Sequence, residues 1–194
     1  MDILYLDDYI NFYNKNTLEI TKIIPYKDTL RNGIIINKTK FIKKMIKELN
    51  KIGIKNSIFT SSIKVIINNY YTCEDKELIK IVMEELNYKK VEFIHENNYL
   101  ELNKNNVYLN CNYSYFYILY VDSYGDTKIN MYKNDILNKS IFINLIDYFN
   151  NKNIILYGKN IKEFISVLDK YNIEYYVYEE KDNLIMKKVL VSSL

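Results

Sequence analysis

Glycine, proline and cysteine are all scarce: the chain has four glycines, one proline and two cysteines in 194 residues, with no tryptophan and one histidine. So few glycines leave little for loops in which bare backbone amides close around a phosphate, because such loops need positive φ and no Cβ. Cys73 and Cys111 lie far apart with no CxxC spacing, which argues against a disulfide framework or zinc site and fits a reducing compartment. No apolar run approaches the roughly 18 residues of a membrane span. The start, Met1-Asp2-Ile3-Leu4-Tyr5-Leu6-Asp7-Asp8, has acids where a secretory signal has bases, so the expected location is cytoplasmic. Arg31 is the only arginine, and arginine is the residue best suited to bidentate phosphate recognition. The net charge of +3 is small and of mixed origin, so nothing calls for nucleic acid.

What the chain does have is apolar residues, at 48%, enough for one domain or two compact subdomains of about 100 residues each. It also has 21 tyrosines. Abundant Tyr, Ile, Asn and Lys are what A/T-rich codons produce, so the tyrosines are discounted as a binding signal.

The segment Asn106 to Tyr132 organises the rest. Val107–Asn112, Tyr115–Val121 and Thr127–Tyr132 read as three successive strands, with Asp122-Ser123-Tyr124-Gly125-Asp126 as the turn between the last two. A helix follows over Asn134–Asn150, then a strand over Asn153–Tyr157 ending at Gly158. A helix capped by Asn160 runs to Lys170, a strand spans Ile173–Tyr178, and Leu184–Val191 is a closing apolar segment. The first half has the same order. Strands are expected at Ile3–Leu6, Tyr9–Asn14 and Thr17–Ile24, the last ended by Pro25, which cannot donate to a ladder. After the loop Tyr26–Asn32 and the apolar piece Gly33–Ile36, a helix runs over Lys38–Ile52. It carries Phe41, Ile42, Met45, Ile46 and Leu49 on one stripe, with Asn37 as N-cap and Gly53 as stop. Strands at Lys55–Thr60 and Lys64–Tyr71, a helix at Glu74–Asn87 and a strand at Val91–Ile94 complete it. His95–Asn106 reads as a polar connector. The expectation is an α/β fold: a duplicated βββαβαβ (RNase H-like, actin-like) core in two subdomains, residues 1–100 and 101–194.

Several phrases of the chain resemble the actin-like ATPase superfamily, in its MreB, FtsA and PilM branch. Ile10-Asn11-Phe12-Tyr13 through Ile23-Ile24-Pro25 resembles the second and third strands of its opening meander. Asn32-Gly33-Ile34-Ile35 resembles the piece leading into its first helix. Lys90-Val91-Glu92-Phe93-Ile94-His95-Glu96 resembles a strand end of the form vxxIxEP, and Ile154 through Asn160 resembles its nucleoside loop. The resemblance spans nearly the whole chain, without the family's usual insertion subdomains.

The resemblance also implies where nucleotide chemistry would sit. Family members grip ATP phosphates with two glycine-containing β-turns and a glycine-rich nucleoside loop, since amides can approach phosphate closely only where no side chain intervenes. Here the first turn is Leu6-Asp7-Asp8-Tyr9, with no glycine. The second contains Asn110, Asn112 and Tyr113, so an asparagine stands for the magnesium-organising aspartate. The third keeps Gly158 alone. Asp7, Asp8, Tyr9, Asn110, Asn112, Tyr113 and Gly158 are therefore vestigial cleft positions, with no catalytic residue, no metal and no cofactor. Tyr9, Tyr113, Tyr115 and Phe116 stand where phosphates would lie and are expected to help fill the cleft. For Tyr115 and Phe116 the simpler reading is strand residues with half-buried rings.

An RNase H-like nuclease is an alternative, since that core holds two metals with clustered carboxylates. Asp7 and Asp8 lie near the right place, and Glu48, Glu84 or Asp147 would have to join them. Glu48 and Glu84 fall on polar helix faces, however, and His95 reads as a partly exposed histidine rather than a base. The resemblance favours a non-catalytic scaffold or adaptor of a membrane-associated assembly, either a type IV pilus or type II secretion platform or the division apparatus. An ATP-dependent filament former is another alternative. The implied partner is a protein, the cytoplasmic segment of a membrane protein, with homo-oligomers also admitted and membrane contact indirect. The tail Leu184–Leu194 is expected to pack on the second half rather than lie on a membrane.

Overall fold

A computed structural model describes residues 1–6, 9–31, 33–53, 62–100, 102–111, 115–133, 149, 151–158 and 161–178. The expected strand at Lys55–Thr60, the helix at Asn134–Asn150 apart from Phe149, Asn160 and the tail from 184 onward lie outside these residues. So do Asp7, Asp8, Asn112, Tyr113 and Asp147.

The first compact unit spans Met1–Tyr99. Its strands are β1 (Asp2–Leu6), β2 (Ile10–Asn14), β3 (Glu19–Ile23), the short pair β4 (Leu30–Arg31) and β5 (Ile34–Ile35), β6 (Ile63–Ile67) and β7 (Val91–His95). α1 (Lys38–Lys51) precedes β6, and α2 (Cys73–Glu85) joins β6 to β7. The sheet order is β3-β2-β1-β6-β7, with the meander antiparallel and β1, β6 and β7 parallel. β1 and β2 are buried along their whole length, as expected for strands covered on both faces. One face packs Leu4, Leu6, Phe12 and Val65 against Phe41, Met45 and Leu49 of α1 and Ile79, Val82 and Met83 of α2. Those helix positions recur at three- and four-residue spacing, which is why the stripe was readable in advance.

The Asn37 side chain accepts from the Lys40 amide, as anticipated for an N-cap. α2 starts one residue earlier than expected because Thr72 and Asp75 form a reciprocal capping box. β6 stops at Ile67, four residues short of the expected strand end. Asn68 ends it by accepting from the Tyr70 amide, a side-chain turn that competes with the ladder. Tyr26–Asn32, read as plain loop, includes β4, which pairs with β5 through Leu30↔Ile35 and Arg31↔Ile34.

The second unit begins at Leu100. It contains β8 (Asn106–Cys111), β9 (Tyr115–Val121), β10 (Thr127–Lys133), β11 (Asn153–Gly158), α3 (Lys162–Lys170) and β12 (Tyr175–Tyr178). Its sheet order, β10-β9-β8-β11-β12, repeats the first unit strand for strand, again with an antiparallel meander and three parallel strands. Each meander belongs to its own five-stranded sheet, so the duplicated α/β core expected from the element order is present. The helix side packs Val107, Leu109, Phe116, Ile118, Ile154 and Leu156 against Phe149, Phe164 and Leu168. α3 corrects one expectation: its N-cap position is Ile161, not Asn160, with no side-chain capping bond. Ile161 is buried in the core, so packing rather than a polar cap sets the start of this helix.

Candidate functional site

In an open α/β sheet, ligands bind outside the carboxyl ends of the parallel strands. In the first unit that edge is formed by the ends of β1, β6 and β7, which run in one direction. β1 leads into Asp7 and Asp8, β6 into Asn68 and Asn69, and β7 into Glu96 and Asn97. Glu96 is fully buried and accepts a long hydrogen bond, 3.4 Å, from the Tyr5 hydroxyl. The side-chain amides of Asn69 and Asn97 exchange two hydrogen bonds of 3.2 Å each. Asn11 is the cross-strand neighbour of Tyr5, and its Nδ2 is buried with no hydrogen-bond partner among the described residues.

The same edge holds Gly33, with φ of +83°. A Cβ there would come within 2.8 Å of the Leu6 carbonyl oxygen and 2.6 Å of the Tyr71 hydroxyl. Tyr71 in turn donates to the Gly33 carbonyl at 2.6 Å. The absence of a side chain therefore lets the β4–β5 hairpin close onto the end of β1. The connection from β1 to β2 has only three residues, between the paired Leu6 and Ile10. Tyr9 in that connection is 37% exposed, and the Lys22 ammonium stands 3.8 Å from its ring centroid.

In the second unit the corresponding edge is formed by β8, β11 and β12. Asn110 is buried near the end of β8, with Tyr117 of β9 and Tyr157 of β11 as its neighbours on either side. The two phenol oxygens are 2.6 Å apart, so the rings converge over the central strand. Gly158 ends β11 opposite Cys111, buried and with φ of +108°. Four residues link Cys111 to its antiparallel partner Phe116.

Phe116 is a strand residue, as its simpler reading had it, with its ring fully rather than half buried. It is fully buried on the helix side, with ring centroids 5.1 Å from both Tyr132 and Phe164, because its strand parity points it into the core. Of the vestigial positions, Tyr9, Asn110 and Gly158 are described, and each lies at or next to a carboxyl edge. Of the carboxylates of the nuclease alternative, Glu48 and Glu84 are described, on α1 and α2. Glu48 on α1 is held by Lys44 at 3.1 Å and Lys51 at 3.0 Å, and these bonds, Lys51 first, set its pKa below the usual carboxylate value. Glu84 lines a shallow depression with Asn87, Tyr88 and Lys89. There Tyr88 donates to Asp2, at the amino end of β1; burial first, and then the Asp2 charge, drive the phenol far above its ordinary pKa, so it remains the donor. Among the described residues no three His, Cys, Asp or Glu side chains cluster to hold a metal. His95 is exposed, its pKa lowered by partial desolvation and by Lys76, with Glu96 opposing.

Sequence reasoning quoted Glu96 in a strand-end phrase but missed its burial and its partner Tyr5, and it missed the tyrosine pair. Glu96 had a local signal, an acid directly after an apolar strand, and was read as part of a polar connector. Tyr117 and Tyr157 are 40 residues apart and meet only through strand register. No helix among the described residues is long and apolar enough to cross a membrane.

No protein-family model matches the chain, and no curated protein matches it. Solved structures do. The ethanolamine utilization protein EutJ from Carboxydothermus hydrogenoformans aligns with a TM-score of 0.64 at 9% identity, over 98% of this chain and 88% of that one. MreB 5 of Spiroplasma citri bound to AMPPNP aligns with a TM-score of 0.58 at 10% identity, over 98% and 95%. A Bacteroides thetaiotaomicron protein with an actin-like ATPase fold and unknown function aligns at 0.57 and 12%, over 98% and 95%. At these identities the likeness establishes the fold. The chain has the actin-like fold, as the resemblance in its sequence implied.

Proposed function

We propose that this actin-like chain is a non-catalytic scaffold or adaptor. It binds a protein component of a membrane-associated assembly through that component's cytoplasmic segment. The candidate assemblies are a type IV pilus or type II secretion platform and the division apparatus.

One observation carries the non-catalytic part: how glycine is used at the carboxyl edges. Two of the four glycines, Gly53 and Gly125, belong to a helix end and a hairpin turn. Gly33 is covered by Tyr71 and the end of β1, so its missing side chain serves a contact within the protein. That leaves Gly158 alone, where backbone approach to two or three phosphates needs several consecutive bare amides. Side chains at these edges bond to one another instead, in the pairs Tyr5–Glu96, Asn69–Asn97 and Tyr117–Tyr157. Filling a site with side-chain hydrogen bonds favours a fixed structure over an exchangeable ligand.

The test is a thermal melt of the full chain with and without millimolar ATP and magnesium, since a ligand that binds the native state raises the apparent melting temperature. No shift is expected. A rise of several degrees replaces this reading with the ATP-dependent filament former. For the partner, affinity capture from solubilised membranes should enrich a membrane protein with a short cytoplasmic segment, and a synthetic peptide of that segment should then bind the purified chain.

A further inference from the structure

The two copies of the meander end in unlike edge strands. β3 is five residues long, and its exposed positions carry the charged Glu19 and Lys22. Pro25 follows two residues after its end. Short length, charge and proline all discourage an open edge from pairing with another chain. Among the described residues β10 occupies the equivalent margin of the second sheet; it is longer and holds no proline, and its charges are Lys128 and Lys133, near its two ends. It is seven residues long, and its exposed face presents Ile129 at 42% and Met131 at 48% exposure. Its Lys128 ammonium lies 3.4 Å from carboxylates of both Asp122 and Asp126, in the hairpin that leads into the strand. The Lys128 charge is thus already countered from within, which leaves Lys133 at the far end of the strand.

We propose that β10 is a self-association edge, pairing antiparallel with β10 of a second copy about a two-fold axis at Asn130. The strand Thr-Lys-Ile-Asn-Met-Tyr-Lys is self-complementary about that residue. With Asn130 opposite the partner's Asn130, Ile129 meets the partner's Met131, Lys128 meets the partner's Tyr132, and Thr127 meets the partner's Lys133. Every pair but the central Asn130–Asn130 occurs twice, all seven residues are used, and no lysine faces a lysine. Apolar pairs and a lysine against an aromatic ring are favourable cross-strand neighbours, whereas like charges are not. In-sheet pairing must also match faces, so the register can slip only by two residues. A slip of two in either direction shortens the ladder to five residues, and in one direction it also places Ile129 opposite the partner's Lys133. Ile129 and Met131 share a face with the buried Leu119 and Tyr117, their neighbours on β9. A second copy therefore continues an apolar face that already exists and joins two five-stranded sheets into one. This surface is separate from the carboxyl edges, so the inference stands or falls independently of the adaptor reading.

Two assays on the full chain test it. Sedimentation velocity up to about 100 µM should show a monomer–dimer equilibrium, and Ile129→Lys with Met131→Lys, which sets lysines opposite one another at exposed positions, should weaken it about tenfold or more. Facing Cα atoms in an antiparallel pair are about 4.5 to 5.5 Å apart, within disulfide range. Asn130→Cys in a Cys73→Ser background should therefore cross-link to itself under mild oxidation, and Thr127→Cys should not. A strict monomer at the highest concentration overturns the proposal. So does a dimer insensitive to the double lysine variant, or cross-linking at 127 and not at 130. If the lysine variants unfold, the cross-linking result decides alone.

Discussion

The two units are built to the same strand order and differ in what they place at equivalent positions. At the carboxyl end of the first sheet, Tyr5 on the central strand has Asn11 beside it on β2 and Ile66 on β6. At the same place in the second, Asn110 is central, with Tyr117 on β9 and Tyr157 on β11. Tyrosine and asparagine have exchanged strands. Which positions are buried repeats between the halves, and which residue fills each does not. The comparison teaches that the architecture rests on burial pattern and register, while the chemistry of each edge is a separate matter.

The largest expected effect asks how far the two cores are independent. Phe41 and Phe164 are core aromatics of the first and second unit, at 0% and 2% exposure. Truncating either to alanine should destabilise its unit by about 3 to 5 kcal/mol, through lost burial and the cavity left behind. Hydrogen exchange should report accelerated opening in β1, β2 and β6 for Phe41→Ala, and in β8, β9 and β11 for Phe164→Ala. Acceleration across both sheets in both variants would show that the duplicated halves unfold as a single cooperative body.

Next comes Gly33, whose role has no equivalent among the described residues of the second unit. Gly33→Ala combines an unfavourable φ with a Cβ placed against the Leu6 carbonyl and the Tyr71 hydroxyl. The loss should be about 2 to 4 kcal/mol by urea denaturation, and larger than the roughly 1 kcal/mol for Gly125→Ala. Gly125 also has positive φ, with nothing within 4 Å of the added atom. Equal losses at the two positions would mean that the hairpin does not close on β1 as described.

The smallest effect sharpens the difference between the edges. Tyr117→Phe or Tyr157→Phe alone should cost about 1 to 3 kcal/mol, by removing the buried hydrogen bond between the two hydroxyls. The double variant should cost less than the two single losses added together. A double-mutant cycle on thermal melts measures this coupling, and additivity within error would remove the hydroxyl pair as an organising contact.

Much of the fold was legible in the residues. The amphipathic stripe of α1, its Asn37 cap, the aromatic and branched run of β9 and the turn at Asp122–Asp126 are local patterns, with periods of 3.6 and 2 that survive without knowledge of neighbours. Pro25 and the repeated order of elements belong with them. Less legible were features in which a distant group supplies the reason. β6 ends at Ile67 although β-branched residues and tyrosines continue past it, because Asn68 captures the Tyr70 amide. α3 begins without a polar cap because Ile161 is anchored in the core. Glu96 read as part of a polar connector, and it is a buried acceptor for Tyr5, 91 residues earlier.

By itself the sequence determined an α/β chain made of one unit used twice, poor in the glycines that phosphate loops require. Hydrophobic period and glycine count are properties of the string, so no coordinates are needed to read them. The tertiary structure alone decided that Tyr117 and Tyr157 close over Asn110, that Gly33 serves a contact with Leu6 and Tyr71, and that β10 exposes Ile129 and Met131 at the margin of its sheet among the described residues. Each depends on register or on the approach of segments distant in sequence. A two-residue period says that a side chain faces one side or the other, and not which neighbour it meets there.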